Sequence, residues 1–305
     1  MSVAEASATK DSETTSSVES SSAEGSRDVV ARPPTRVWGR LFRSELALIG
    51  GRRRNQVGLV VLAAMPIIMA VATKMTTSDR RRGGDLMGSM TTNGLFVPLA
   101  ALLVELTMFL PLAIAMLSGD AIAGEANTGT LRYLLTVPVS RTRLLLVKYA
   151  SLCFGALWGV LTVAIPGAAI GIALFGFGDL PTLSGTTLSG GAAIGRFALV
   201  ILYVTACLAA LAAVGLFIST LTEQPIAAAI AVMIFTIVSW ILDGVPQLDW
   251  LHDWLLVDRW MAFQDFLRDP IAWHDISRGL LVNGVYAVVF WLAAWARFAG
   301  KDVTS

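Results

Sequence analysis

The chain has 305 residues, 55% of them hydrophobic and 15% charged, with a formal net charge of +1 and a mean hydropathy of +0.68. That apolar share exceeds what an ordinary globular domain carries and indicates an all-α integral membrane protein. The near-zero net charge gives no footprint for a nucleic-acid partner, and the two cysteines, Cys153 and Cys207, lie in apolar runs where they read as small packing residues rather than disulfide partners.

Residues 1–34 are rich in Ser, Glu, Thr and Ala, lack an apolar run and end at Pro33 and Pro34, so they read as a disordered tail. They also lack the basic start and apolar stretch of a secretory signal, which leaves the tail in the cytoplasm. Residues 35–51 follow as an amphipathic interface helix. Trp38, Leu41, Phe42, Leu46 and Ile49 share one face at helical spacing, and Arg36, Arg40 and Arg43 lie largely off it.

Residues 52–301 form the membrane domain, with 302–305 a short C-terminal tail. A bilayer requires about 20 apolar residues per helix, each satisfying its own backbone. Six runs meet that requirement: Val57 to Thr73, Leu95 to Leu117, Tyr149 to Phe175, Phe197 to Ile218, Ile226 to Leu242 and Leu280 to Ala296. Arg52, Arg53 and Arg54 stand directly before the first run, and Lys and Arg favour the cytoplasmic side. Both termini and the segment from Gly119 to Lys148 are therefore expected in the cytoplasm, at the plasma membrane. Arg80, Arg81 and Arg82, in the loop after the first span, are the exception to this rule.

Within the second span, Glu105 stands mid-membrane, where an ionisable group is costly and normally faces the bundle interior. It is the candidate for a transport pathway, against the plainer reading of a protonated or hydrogen-bonded packing residue. Pro66, Pro98, Pro111 and Pro166 are candidate kinks, and Gly167, Gly171 and Gly176 thin out the third span.

The second span is expected to continue as one helix through Asp120 to about Ala126. Asn127, Thr128 and Gly129 then make a turn, with Gly129 suited to a positive φ. Thr130 caps a short helix, LRYLLT, whose Leu131, Leu134 and Leu135 share a face; Pro138 ends it, and Ser140 caps the helix that enters the third span. A passive connector needs only a few polar residues. Here a leucine face flanked by Glu125 and by Arg132, Arg141, Arg143 and Lys148 suits docking into an apolar groove of a soluble partner, with the charges fixing register.

Between the fifth and sixth spans, Gly244 to Gly279 carries Trp250, Trp254, Trp260 and Trp273 among Leu and Phe. Short helices in the outer interface suit that pattern, with Asp249, Asp253, Asp258, Asp265, Asp269 and Asp275 facing water. His252–Asp253 and His274–Asp275 lack metal-ligand spacing, so no metal site is assigned.

The run Glu125 to Lys148, written E-x-x-x-G-T-L-R-x-L-L-T-x-P-V-S-R-x-x-L-L-x-x-K, resembles the motif of type 2 ABC-transporter permeases, the membrane subunits of ATP-driven exporters. The likeness extends over Trp38 to Val303, through the amphipathic entry helix, the six-span plan and the ending RFAGKDV. It is nearest to the single-domain bacterial exporter branch, and departs from the pattern at Ala126 and Asn127, where a further acidic residue is expected. The resemblance implies a cytoplasmic coupling helix between spans 2 and 3, seated on a separate ABC ATPase subunit. Glu125, Gly129, Thr130, Leu131, Arg132, Leu135, Pro138 and Arg141 would be its coupling residues. It also implies a second permease subunit, identical or not. The chain contains no G-x-x-x-x-G-K-[ST] loop, so ATP and magnesium would enter through the partner ATPase, no cofactor would bind directly, and the chain itself would not be an enzyme. The competing reading is a membrane scaffold or sensor in which the same elbow docks a cytoplasmic protein without transport.

Overall fold

The computed structural model describes residues 34–76, 93–127 and 140–300. The expected disordered tail, the Arg80–Arg82 loop, the short helix after Gly129 and the C-terminal tail lie outside the described residues. In chain order the helices are α1 (Pro34–Gly51), α2 (Arg53–Thr76), α3 (Phe96–Thr107), α4 (Phe109–Asn127) and α5 (Arg141–Phe175). A two-stranded antiparallel hairpin follows, β1 (Leu180–Pro181) with β2 (Thr187–Leu188), in which Leu180 faces Leu188. Then come α6 (Gly190–Leu221), α7 (Pro225–Asp243), α8 (Asp249–His252) and α9 (Trp273–Ala299). Two 3₁₀ segments, Pro246–Leu248 and Trp260–Leu267, flank α8.

Among the described residues α2, α4, α5, α6, α7 and α9 are long and apolar enough to cross a membrane. The chain is a multi-pass, all-α membrane protein. Helix α6 is the hub. In its most apolar stretch 56% of residues are buried, against 17% for α2 and 22% for both α7 and α9, and it packs against α4, α5, α7 and α9. The outer helices keep Val60, Ile68, Ile230, Ile241, Val288 and Leu292 exposed, as lipid-facing surfaces require.

One expectation needs correction. The second span is not a single helix: α3 stops at Thr107 and α4 starts at Phe109, with Met108 at φ −142° and ψ −52°. Pro111 supplies the reason. It has no N–H for the Thr107 carbonyl four residues earlier, and its ring crowds that carbonyl. The Met108 amide turns back to the Glu105 carbonyl at 3.3 Å instead. Pro66 and Pro166, in contrast, lie inside unbroken α2 and α5, and Pro98 sits in the first turn of α3, where no intrahelical donor is missed.

Glycines in α5 do serve close packing. A Cβ on Gly167 would lie 2.9 Å from the Pro98 Cβ and 3.1 Å from the Pro66 Cβ, so three helices meet there. At Gly171 a Cβ would come within 2.1 Å of the Gly94 carbonyl oxygen, an approach only two glycines allow. Gly176, at φ 84°, ends α5.

The end of the bundle holding β1, β2 and the second 3₁₀ segment is capped by long-range bonds. Trp260, Phe263, Phe266 and Leu267 are buried. Arg196 of α6 donates to the carbonyls of Phe266 (2.7 Å) and Arg268 (2.6 Å), and the Tyr203 hydroxyl donates to the Arg259 carbonyl at 2.5 Å. Arg259 pairs with Asp253 at 3.1 Å, Asp258 at 2.6 Å and, closer still, Asp275. Partial burial works against its charge, but the surrounding aspartates outweigh this and hold the guanidinium above its usual value.

Two details of the tryptophan-rich segment therefore change. It is built of 3₁₀ turns and a single α-turn rather than a pair of helices, and Trp260 is core, donating to the Asn283 side-chain oxygen at 3.3 Å. Its aspartates do not all face water: Asp249 does, at 96% exposure, while Asp258 and Asp265 are mostly covered and pair with Arg259 and Arg268. The reason is the presence of arginines on the same segment, which periodicity alone does not pair.

Candidate functional site: the charged end of the bundle

The opposite end gathers ionisable groups from four helices, α1, α2, α4 and α5. Helix α1 turns into α2 at Arg52, and side chains of α2 stitch the corner. The Asn55 amide donates to the Ile49 carbonyl at 2.8 Å, and the Gln56 amide to Gly50 at 3.0 Å. These bonds satisfy carbonyls that the end of α1 would otherwise leave open. The corner presents Arg52 and Arg54 to Asp120 of α4, and both guanidinium groups reach Asp120 Oδ2, Arg52 at 2.5 Å.

One turn further along α4, Glu125 meets Lys148 of α5 at 2.5 Å, and Lys148 also reaches Glu45 of α1 at 3.3 Å. The Lys148 side chain is only 3% exposed, with Glu125 at 12% and Glu45 at 15%. A buried ammonium persists only when paired, and here two carboxylates from different helices meet it. The pair joins the two flanks of residues 128–139, the segment between α4 and α5. Beneath the pair, Ser219 of α6 docks into α4. Its hydroxyl donates to the Gly119 carbonyl at 2.9 Å and accepts the amides of Ile122 (3.1 Å) and Ala123 (2.9 Å). A side chain so inserted into a helix ladder fixes the two helices in one register.

The expected site residues fare differently. Gly129, Thr130, Leu131, Arg132, Leu135 and Pro138 lie outside the described residues. Glu125 points to Lys148, inside the bundle. Arg141 donates to the carbonyls of Phe298 (3.3 Å) and Ala299 (2.8 Å), tying the start of α5 to the last turn of α9. The Trp295 indole donates to the Thr142 hydroxyl at 2.9 Å beside it. Ser140 occupies the N-cap position of α5, but its side chain makes no capping bond. Glu105 is fully buried in α3, and its carboxyl oxygens meet no hydrogen-bond partner among the described residues.

Lys148, Glu45, Asp120, Arg52 and Arg54 as a paired set escape a reading of the sequence. The one available signal was Lys148 itself, which falls on the buried side of α5 among Leu144, Leu145, Ser151 and Leu152. Among the described residues no group of three or more His, Cys, Asp or Glu converges as metal ligands would.

With this geometry in place, comparison with known families adds one result. Residues 85–304 match the family described as protein of unknown function (DUF2705). The chain belongs to the DUF2705 family. The match runs from ahead of α3 through α9, and so takes in Glu105, Asp120, Glu125 and Lys148 but not Glu45, Arg52 or Arg54. No curated protein matches the chain. The DUF2705 segment therefore contains the α4 and α5 halves of the charged end, and the α1–α2 corner supplies the rest.

Proposed function

We propose that the chain is the permease subunit of an ATP-driven transporter, an exporter in the plasma membrane with both termini in the cytoplasm. It would work with a separate ABC ATPase subunit and a second permease subunit. The observation that supports this most is the Lys148 lock. The segment carrying the permease-like motif is strung between two helices joined by Glu125 and Lys148, and Arg141 ties its exit to α9. A push on residues 128–139 would therefore move α4, α5 and α9 together rather than bend a loose loop. The break at Met108, one turn beyond Glu105, is where such a movement of α4 would be absorbed. Glu105 is the candidate lining of the pathway opened by it.

The test is purification of the full chain with its native partners from the membrane that makes it. An ATP-hydrolysing subunit should co-purify, and Leu131→Glu with Leu135→Glu should release it while leaving the permease monodisperse. After reconstitution, Glu105→Gln should lower substrate-stimulated ATP hydrolysis. Absence of any ATPase from the wild-type complex refutes the reading. A stable complex that hydrolyses no ATP in response to any substrate makes the chain a docking scaffold.

A further inference from the structure

Two adjoining chambers open between α1, α2, α4 and α5 at the charged end. The first, of about 340 Å³, is apolar, and its walls include Ile49, Gly58, Leu62, Leu110, Leu117 and Trp158. The second, of about 380 Å³, is bordered by Glu45, Arg52, Asp120, Glu125 and Lys148. Ile49, Asn55 and Leu117 line both, so a greasy space runs directly into a charged one at the level where α2 begins.

The two kinds of space differ in what they have left to offer. Deep in the charged chamber Lys148 is matched by Glu125 and Glu45. At the mouth, Asp120 opposes Arg52 and Arg54 together, and Arg53 stands exposed beside them, so the run Arg52 to Arg54 keeps a positive surplus. The Arg52 and Arg54 side chains are 42% and 41% exposed, and a guanidinium has five N–H donors, more than the bonds to Asp120 consume. In the apolar chamber Trp158 is 53% exposed and stacks on Phe154, with ring centroids 6.1 Å apart. Gly58 leaves space as well: no heavy atom lies within 4 Å of where its Cβ would be.

We propose that the paired chambers are a binding site for an anionic membrane lipid. Its phosphate sits at Arg52 and Arg54, and one acyl chain runs into the space between Ile49, Gly58, Leu62 and Trp158. A basic mouth next to an apolar slot at the start of a spanning helix matches both halves of such a molecule. A zwitterionic lipid fills the slot equally well but gains less at the mouth. The site needs no ATPase partner, so it stands or falls separately from the transport reading.

Trp158 makes the site observable. The full-length protein is reconstituted in phosphatidylcholine vesicles containing increasing fractions of either chain-brominated phosphatidylglycerol or chain-brominated phosphatidylcholine. The difference in fluorescence between wild type and Trp158→Phe isolates quenching at Trp158. Half-maximal quenching is expected at a roughly fivefold lower fraction of the anionic lipid. Arg52→Gln with Arg54→Gln should erase that preference. So should Gly58→Phe, which fills the slot where there is room for it and leaves the arginines in place. Equal quenching by the two lipids overturns the proposal. So does the absence of quenching by either, which would mean that protein, such as a second copy of this chain, covers the chamber.

Discussion

At the scale of single residues, Lys148 has the strongest claim to structural consequence. Its ammonium is buried between Glu125 and Glu45, and truncating it would leave two partly buried carboxylates without their cation. Breaking a buried pair from one side costs about 3–5 kcal/mol, whereas removing both members costs far less. Lys148→Met should therefore lower the unfolding free energy of the detergent-solubilised protein by about that amount, measured by denaturant titration. Adding Glu125→Gln to it should recover at least half. Equal losses in the single and double variants would show that Lys148 matters through its packing rather than its charge.

At the scale of elements, the interrupted second span is decided by one proline. Thr107 loses its intrahelical donor at Pro111, and α3 and α4 separate at Met108. Pro111→Ala restores the donor and should join the two helices. Hydrogen exchange followed by mass spectrometry should then show slower exchange of peptides spanning 105–113, by about tenfold for an opening energy of about 1.4 kcal/mol. Unchanged exchange there would place the cause of the break in the packing around α3. The proline was visible in the sequence, and so was its capacity to kink. That it divides the span, while Pro66 and Pro166 leave α2 and α5 unbroken, depends on what each helix packs against. Pro66, for instance, faces Gly167 across a close contact with α5.

At the scale of the whole molecule, two differently built ends enclose an apolar bundle around α6. The capped end rests on Arg259, which joins Asp253, Asp258 and Asp275 from three neighbouring stretches of chain. Arg259→Gln leaves those carboxylates facing one another, and should destabilise the cap by about 1–3 kcal/mol. The loss should appear as a lower thermal midpoint together with a red-shifted tryptophan emission, because Trp260 is buried beneath the cap. A lower midpoint without a spectral shift would mean that the cap stays closed and the loss arises elsewhere.

The long apolar helices and the entry helix were legible in the sequence, because apolar run length and helical period are local properties. Five of the six runs reappear as one helix each, with longer ends, and the second is split at Met108: the run from Tyr149 becomes α5 from Arg141, and the run from Leu280 becomes α9 from Trp273. Charge-bearing turns extend those helices beyond the apolar stretch, and hydropathy does not register them. The candidate site was legible only in part. Glu125 and Arg141 were singled out in it, but not the bonds that join Glu125 to Lys148 and Arg141 to the end of α9.

By itself, then, the sequence determined that this is a helical membrane protein and roughly which segments are long and apolar enough to cross the membrane. Those properties follow from the cost of placing unpaired backbone or charge in hydrocarbon, which acts on each segment separately. Only the tertiary structure decided that Lys148 meets Glu45 from 103 positions away, that Asp120 gathers Arg52 and Arg54, and that a greasy slot adjoins them. Such pairings belong to no single segment, because a charge finds its partner through the packing of α1, α2, α4 and α5, and packing is set by every helix at once.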